Sequence, residues 1–286
     1  MGFLIYLFAA YAVAILIGRA KDFVPEVLVK GLVMCLIFTI SFWGSGEVYS
    51  QSFIKAVILS FLFALSTFSA TYSLGFMWKG RFKPSGSAGF RRGGLIYLVP
   101  LALGYVAGLF FKAGALAGEA LQAELLALVF MVGVKLGGSI SLNAFKSSWR
   151  TAFASTLTSV LGALLSSLAL SAFLEPLGLS LSIAFGFGWY TLDGPLVAQL
   201  FGPAAGAEAF LANFFREQLT FALVPLLSKL GRNPEGLLAA GGATTMDTTL
   251  GLFGEALGKD YYLASTVNGL LLSLIVPVAV PVAARL

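Results

Sequence analysis

Long apolar runs separated by short polar stretches organise this chain, and none of them shows the strict alternation of a half-buried strand. Eight runs predict helices over residues 2–18, 27–44, 53–78, 95–111, 120–140, 151–174, 208–230 and 261–284. Each is close to the ~20 residues a helix needs to cross a bilayer. Lipid offers backbone groups no hydrogen-bond partners, so a crossing must be a helix or part of a closed barrel. Continuous apolar runs select helices. Two further apolar segments, 178–204 and 236–258, are interrupted at their centres by glycines, an aspartate and threonines. The expected fold class is therefore an all-α polytopic membrane protein, with eight transmembrane helices plus two re-entrant or broken-helix segments. The first run lacks a basic leading region and a small-residue cleavage site, so it is expected to be a retained helix.

Composition agrees: of 286 residues, 58% are hydrophobic and only 11% charged. The one cysteine, Cys35, excludes an internal disulfide, and the absence of histidine removes the commonest metal ligand and proton shuttle. The net charge of +5 reflects where the basic residues lie. The stretch KGRFKPSGSAGFRRGG carries Lys79, Arg81, Lys83, Arg91 and Arg92 with no acid, which places it in the cytoplasm by the positive-inside rule. The N-terminus and C-terminus are then both outside a cell (plasma or inner) membrane. Basic residues gather on the inner side more completely if the two interrupted segments return as hairpins.

Short self-similarities divide the chain. LIYL opens the first helix at Leu4 and the fourth at Leu95, and FWGSG from Phe42 and FMVGVKLGG from Phe130 close the second and the fifth. Later, TLD at Thr191–Asp193 matches TMD at Thr245–Asp247. An asparagine follows each aspartate by about twenty residues, Asn213 or Asn268, and each following helix runs on to a Val-Pro, at Pro225 or Pro277. Residues 1–174 thus read as two three-helix repeats forming a scaffold, and 175–286 as two hairpin-plus-helix repeats carrying a site. Each unit has an odd number of crossings, so its second copy is inverted, as in secondary transporters that bind substrate at broken helices.

Acids at membrane depth cost roughly 2.5–3.5 kcal/mol each on insertion scales and mark function. Asp193 and Asp247 lie at the two interruptions. Glu217 lies nine residues into its expected helix, ~14 Å deep at 1.5 Å per residue. Asn213, Glu217 and Thr220 share one face of that helix, with Arg216 beside it. Thr191, Thr244, Thr245 and Thr248 add hydroxyls at the interruptions, and half-helix ends add dipoles. Three acids against Arg216 leave surplus negative charge, so the expected guest is a basic amino acid. The plainer alternative for Arg216 is a structural ion pair with Glu217 or Asp193. Lys135 and Glu124 are expected to snorkel or make structural contacts. GYVAG (Gly104–Gly108) and GVKLG (Gly133–Gly137) are expected to pack helices closely, and the Ser/Thr-rich sixth helix to bond its own backbone or a neighbour.

The blocks GFGWYTLDGPL (Gly186–Leu196), FLANFFREQL (Phe210–Leu219), GGATTMDTTL (Gly241–Leu250) and NGLLLSLIVP (Asn268–Pro277) resemble the successive signature blocks of the bacterial and archaeal lysine exporter family. The resemblance implies L-lysine efflux driven by proton entry, with Glu217 and Asp247 as the essential membrane acids. Two departures stand out: Asp193 replaces a frequent serine, and Gly251 a frequent proline. The expected partners are L-lysine or a similar basic amino acid and membrane lipid, with a homo-oligomer left open and no nucleic acid. No cofactor is expected beyond the coupling ion, H+ or alternatively Na+. The rival readings are a carrier of an organic anion or another amino acid, and, remotely, an intramembrane aspartyl protease. The second requires a glycine-x-glycine-aspartate where this chain has GFGW.

Overall fold

The computed structural model describes residues 2–20, 24–48, 53–84, 96, 98–111, 115–139, 142–258 and 260–286. Arg91, Arg92 and the LIYL motif at Leu95 are among the residues that fall at least partly outside this description. The described residues form twelve α-helices in chain order: α1 Gly2–Ala20, α2 Glu26–Val48, α3 Phe53–Gly75, α4 Leu98–Phe110, α5 Ala115–Ser139, α6 Leu142–Ser171, α7 Leu177–Ala184, α8 Tyr190–Phe201, α9 Pro203–Leu227, α10 Pro234–Gly241, α11 Leu250–Leu257 and α12 Tyr261–Ala283. Short 3₁₀ turns extend α3 to Trp78 and α9 to Leu230, and a third spans Gly242–Met246. The eight long apolar runs each became a helix, and the two interrupted segments became two short helices each.

Among the described residues, four helices are long and apolar enough to cross a membrane, over residues 55–78, 116–138, 148–171 and 261–283. Shorter apolar helices cover 5–20, 27–43 and 99–110. The chain is an all-α, multi-pass membrane protein. Large exposed apolar side chains such as Ile5, Leu16, Leu103 and Leu165 fit that setting, because lipid replaces the protein core as their apolar surroundings. The polar exception is α9, whose interior carries Glu208, Arg216 and Glu217, all buried.

Two compact units share the chain. The first contains Met1–Ala56, Ile96–Ile140 and Thr191–Phe210; the second contains Val57–Leu95, Ser141–Tyr190 and Leu211–Leu286. Within the first, α1 packs on α5, and α2 packs on both α4 and α5. Glycines permit the close approach. A Cβ at Gly18 would collide with the Val134 carbonyl, one at Gly137 with the Ile15 carbonyl, and one at Gly104 with the Phe38 carbonyl. Small residues at these crossings let backbones approach where lipid supplies no hydrophobic drive. Lys135 donates to the Val24 carbonyl (3.4 Å) and Thr39 donates to Glu124 (3.1 Å), so Glu124 and Lys135 of α5 take structural contacts.

The second unit is built around α6 and α12. Its core joins Phe221 and Val224 of α9, Leu237 and Leu238 of α10, Leu252 and Phe253 of α11, and Ala264 of α12. The hydroxyls of α6 behave as its composition predicts. Ser155 and Thr158 bond the carbonyls four residues back, while Ser159 and Ser167 reach the carbonyls of Ala239 and Ser180 on neighbouring elements. At one end of this unit the α3 extension meets the turn after α9 as a short antiparallel ribbon. There Phe82 N–H bonds the Gly231 carbonyl, and Asn233 N–H bonds the Gly80 carbonyl.

Close helix contact predicts a selective cost for added volume. Gly137→Val should lower the thermal midpoint of detergent-purified protein by roughly 3–10 °C, from overpacking worth about 1–3 kcal/mol. Gly31→Ala, at a helical position where a Cβ meets nothing within 4 Å, should leave the midpoint unchanged or raise it.

Candidate functional site

Each interrupted segment stops its helix for a local reason. After α7, Phe187 adopts φ +48° and Gly188 φ +88°, a left-handed pair that no α-helix accommodates. After α10, Gly242 adopts φ +66°, a conformation that only glycine reaches freely. The two interruptions then touch. Ala243 N–H donates to the Phe187 carbonyl (2.9 Å), and a Cβ at Gly242 would collide with that same carbonyl. Gly242 is thus needed twice, for its dihedral and for its lack of a side chain.

Breaking a helix strands carbonyls and amides that lipid cannot satisfy. Side chains from α9 and α12 take their place. Asn213 accepts from Gly188 N–H (2.7 Å) and donates to the Ile183 carbonyl (2.9 Å). Asn268 donates to the Gly242 carbonyl (3.2 Å) and to Thr245 Oγ1 (3.0 Å), while its Oδ1 accepts from Thr156 (3.1 Å). Each asparagine therefore pins one interruption, Asn213 the first and Asn268 the second. Arg216 donates from Nε to the Ala240 carbonyl (3.1 Å) and from Nη2 to the Ala239 carbonyl (2.9 Å). It places a cation at the C-terminal end of α10, the negative end of the helix dipole. Among the described residues no carboxylate pairs with Arg216, so the ion-pair alternative gives way to a helix cap. Its Nη1 is buried without a hydrogen-bond partner, and Arg216, Asn213 and Thr67 help line a small adjoining cavity.

The threonines divide by role. Thr244 donates to the Gly241 carbonyl and Thr245 to the carbonyls of Gly242 and Ser265. Both hydroxyls therefore fold the 3₁₀ turn back on itself and tie it to α12. Thr248 differs: its hydroxyl donates to Glu217 Oε1 at 2.5 Å, and its backbone N–H donates to Asp247 Oδ1 at 2.5 Å. Glu217 is 1% exposed, whereas Asp247 and Thr248 keep substantial accessible surface. Glu217 and Asp247 lie near enough for their charges to act on each other, and Tyr190 also hydrogen-bonds Glu217. A buried carboxylate and an accessible one are thus joined through Thr248, by its hydroxyl on Glu217 and its backbone N–H on Asp247.

Asp193 and Thr191 belong to the first compact unit, at the start of α8. Asp193 is fully buried in the first turn, where a carboxylate suits the positive helix end, and Thr191 is half-buried. The second unit brings together Glu217, Asp247 and Thr248, with Asn213, Arg216, Thr244, Thr245 and Asn268 holding the backbone around them. Sequence reasoning missed Tyr190 and Phe187. A tyrosine directly before TLD was visible as a candidate donor, but the left-handed turn at Phe187 leaves no trace in residue type.

The pins should be measurable. Asn268→Leu strands buried backbone groups at about 1–3 kcal/mol, and thermal unfolding should register it as a lowered midpoint. Arg216→Lys should restore less stability than an Arg-to-Lys change on the surface, because a single ammonium does not reproduce a fork on two successive carbonyls.

The lysine exporter LysO family model matches residues 98–284. The chain is 34% identical over 168 residues to the lysine exporter LysO of Escherichia coli K12, covering 57% of this chain and 54% of that protein. A Haemophilus influenzae relative is 30% identical over 157 residues, covering 54% of this chain and 78% of its own length. The matched region spans about half the length of the Escherichia coli protein. No solved structure matches significantly. The family model covers α4 to α12, including both interruptions, the asparagine pins and all three acids, and on that match the chain belongs to the lysine exporter LysO family.

Proposed function

We propose that this protein is a secondary active transporter that exports L-lysine in exchange for protons. The observation that carries the proposal is the Glu217–Thr248–Asp247 cluster, formed between α9 and the second of two helix interruptions that meet. Its acids are not neutralised by Arg216, whose Nε and Nη2 are committed to backbone carbonyls. The lysine ammonium and the proton then compete for the same carboxylates, which enforces exchange. Exporting a cation against an interior-negative potential costs about 2.3 kcal/mol per 100 mV, and inward movement of one proton offsets that electrical term. An anion carrier is disfavoured by the same commitment of Arg216.

Internal pairing supports the repeat reading. Exchanging α1 with α4 and α2 with α5 converts the α1–α5 contact into the α4–α2 contact and leaves α2–α5 unchanged. Likewise Asn213 and Asn268 serve matching interruptions, twenty and twenty-one residues after Asp193 and Asp247. Under this reading 1–174 and 175–286 each arose as an inverted pair, and the interruptions carry the substrate path.

Reconstituted in liposomes, the protein should couple a lysine gradient to proton movement. Glu217→Gln and Asp247→Asn should each reduce that coupled flux at least tenfold while the protein still purifies as a folded species. Unchanged flux in both variants would overturn the assignment.

A further inference from the structure

Positive-inside sorting explains why cations gather at a membrane face, but not why two of them should be fixed opposite each other. The ribbon at the end of the second unit does this. Phe82 N–H to the Gly231 carbonyl (3.0 Å) and Asn233 N–H to the Gly80 carbonyl (2.9 Å) flank an antiparallel bridge between Arg81 and Arg232. Bonds in that pattern make Arg81 and Arg232 a non-hydrogen-bonded pair, with Cα atoms roughly 4.5 Å apart and side chains leaving the same face. Like charges directly opposite on a ribbon destabilise it. The ribbon is nonetheless anchored. Asn233 donates to the Tyr72 carbonyl (2.7 Å) and caps α10 through Gly236 N–H (3.1 Å), so neither strand is free to slide away.

Both arginines are exposed, and so are Lys79, Lys83 and Lys229 beside them in the chain. The neighbouring acids leave this charge standing. Glu235 lies against Gly80 and Asp260 starts α12, yet among the described residues no ion pair ties either arginine to a carboxylate. Residues 85–95, which follow in the sequence, contain no acid at all. In the helix end and turns that lead into the basic ribbon, Phe76, Met77, Trp78, Leu226 and Leu230 expose large apolar side chains. Trp78 donates its indole N–H to Thr158 (2.8 Å), which fixes its ring there. Exposed apolar side chains and an indole next in the chain to a cluster of cations are the composition of a membrane–water boundary.

We propose that the Arg81–Arg232 pair, flanked by Lys79, Lys83 and Lys229, binds the phosphate of an anionic phospholipid headgroup, with the acyl chains lying along the apolar side chains of Met77, Leu226 and Leu230. Two guanidinium forks on one ribbon face offer the planar donor geometry that phosphate oxygens accept. The lipid removes the repulsion that the backbone enforces, so it stabilises the ribbon and, through Asn233, the start of α10. The site is independent of the transport cluster.

The test uses the full-length protein in neutral detergent, with thermal midpoints read on adding phosphatidylglycerol, phosphatidylcholine of the same acyl chains, or inorganic phosphate. Phosphatidylglycerol should raise the wild-type midpoint by about 5 °C and phosphatidylcholine should not. Arg81→Gln with Arg232→Gln should abolish that gain, and Arg81→Lys with Arg232→Lys should retain most of it. Without anionic lipid, Arg232→Gln alone should raise the midpoint slightly, since it relieves the like-charge pair, a sign that a purely structural arginine would not give. An equal gain from phosphatidylglycerol in the double glutamine variant, or an equal gain from phosphatidylcholine in the wild type, overturns the proposal. Inorganic phosphate matching phosphatidylglycerol would make the ligand a free anion and overturn the lipid assignment.

Discussion

A helix interrupted inside a membrane protein must find new partners for its stranded backbone, and most of the second unit is arranged to supply them. Asn213, Asn268 and Arg216 reach from α9 and α12 to the carbonyls and amides that α7 and α10 leave open. In the low-polarity interior an unmade bond of this kind costs far more than the same bond contributes in water. The pins are therefore a precondition for the acids and not an accessory to them. A carboxylate at Glu217 or Asp247 has a defined position only because the turn that carries Thr248 is fixed on both sides.

Both units combine two ways to pack helices without a hydrophobic drive, glycine contact and hydroxyl bonds, since Gly162 meets Thr71 in the second and Ser41 bonds the Leu101 carbonyl in the first. In the first, Gly18, Gly104 and Gly137 remove side chains so that backbones approach one another directly. In the second, Ser and Thr hydroxyls of α6 cross to neighbouring carbonyls, and a core of leucines and phenylalanines joins four helices. Steric closeness needs no polar group. Polar closeness serves interrupted backbone, which must be satisfied anyway.

Much of this was legible from residue type and spacing. Eight long apolar runs became helices because a continuous run has few other solutions in lipid, although α6 begins nine residues before its expected start and α9 and α12 continue through Pro225, Pro277 and Pro281. The interruptions were visible in 178–204 and 236–258 from their central glycines, aspartate and threonines, but the first break falls at Phe187 and Gly188 and leaves Asp193 in the first turn of α8. The role of Arg216 was not legible. A charge next to Glu217 in the chain points away from it on a helix, and its carbonyl partners at Ala239 and Ala240 are apolar residues whose backbone state is invisible in the sequence. The same holds for Thr244 and Thr245, which share residue type with Thr248 but turn their hydroxyls to backbone. Pairing across the ribbon was equally hidden, because Arg81 and Arg232 are distant in the chain and the bonds that align them belong to their neighbours.

Thr248 owns a single hydroxyl proton, and that limits what its neighbours can do at once. In the proposed exchange, a proton or ammonium arriving at Glu217 meets an oxygen that already accepts from this hydroxyl. Its amide is meanwhile held by Asp247. The buried Glu217 and the accessible Asp247 thus share one residue, the side chain serving one and the backbone the other.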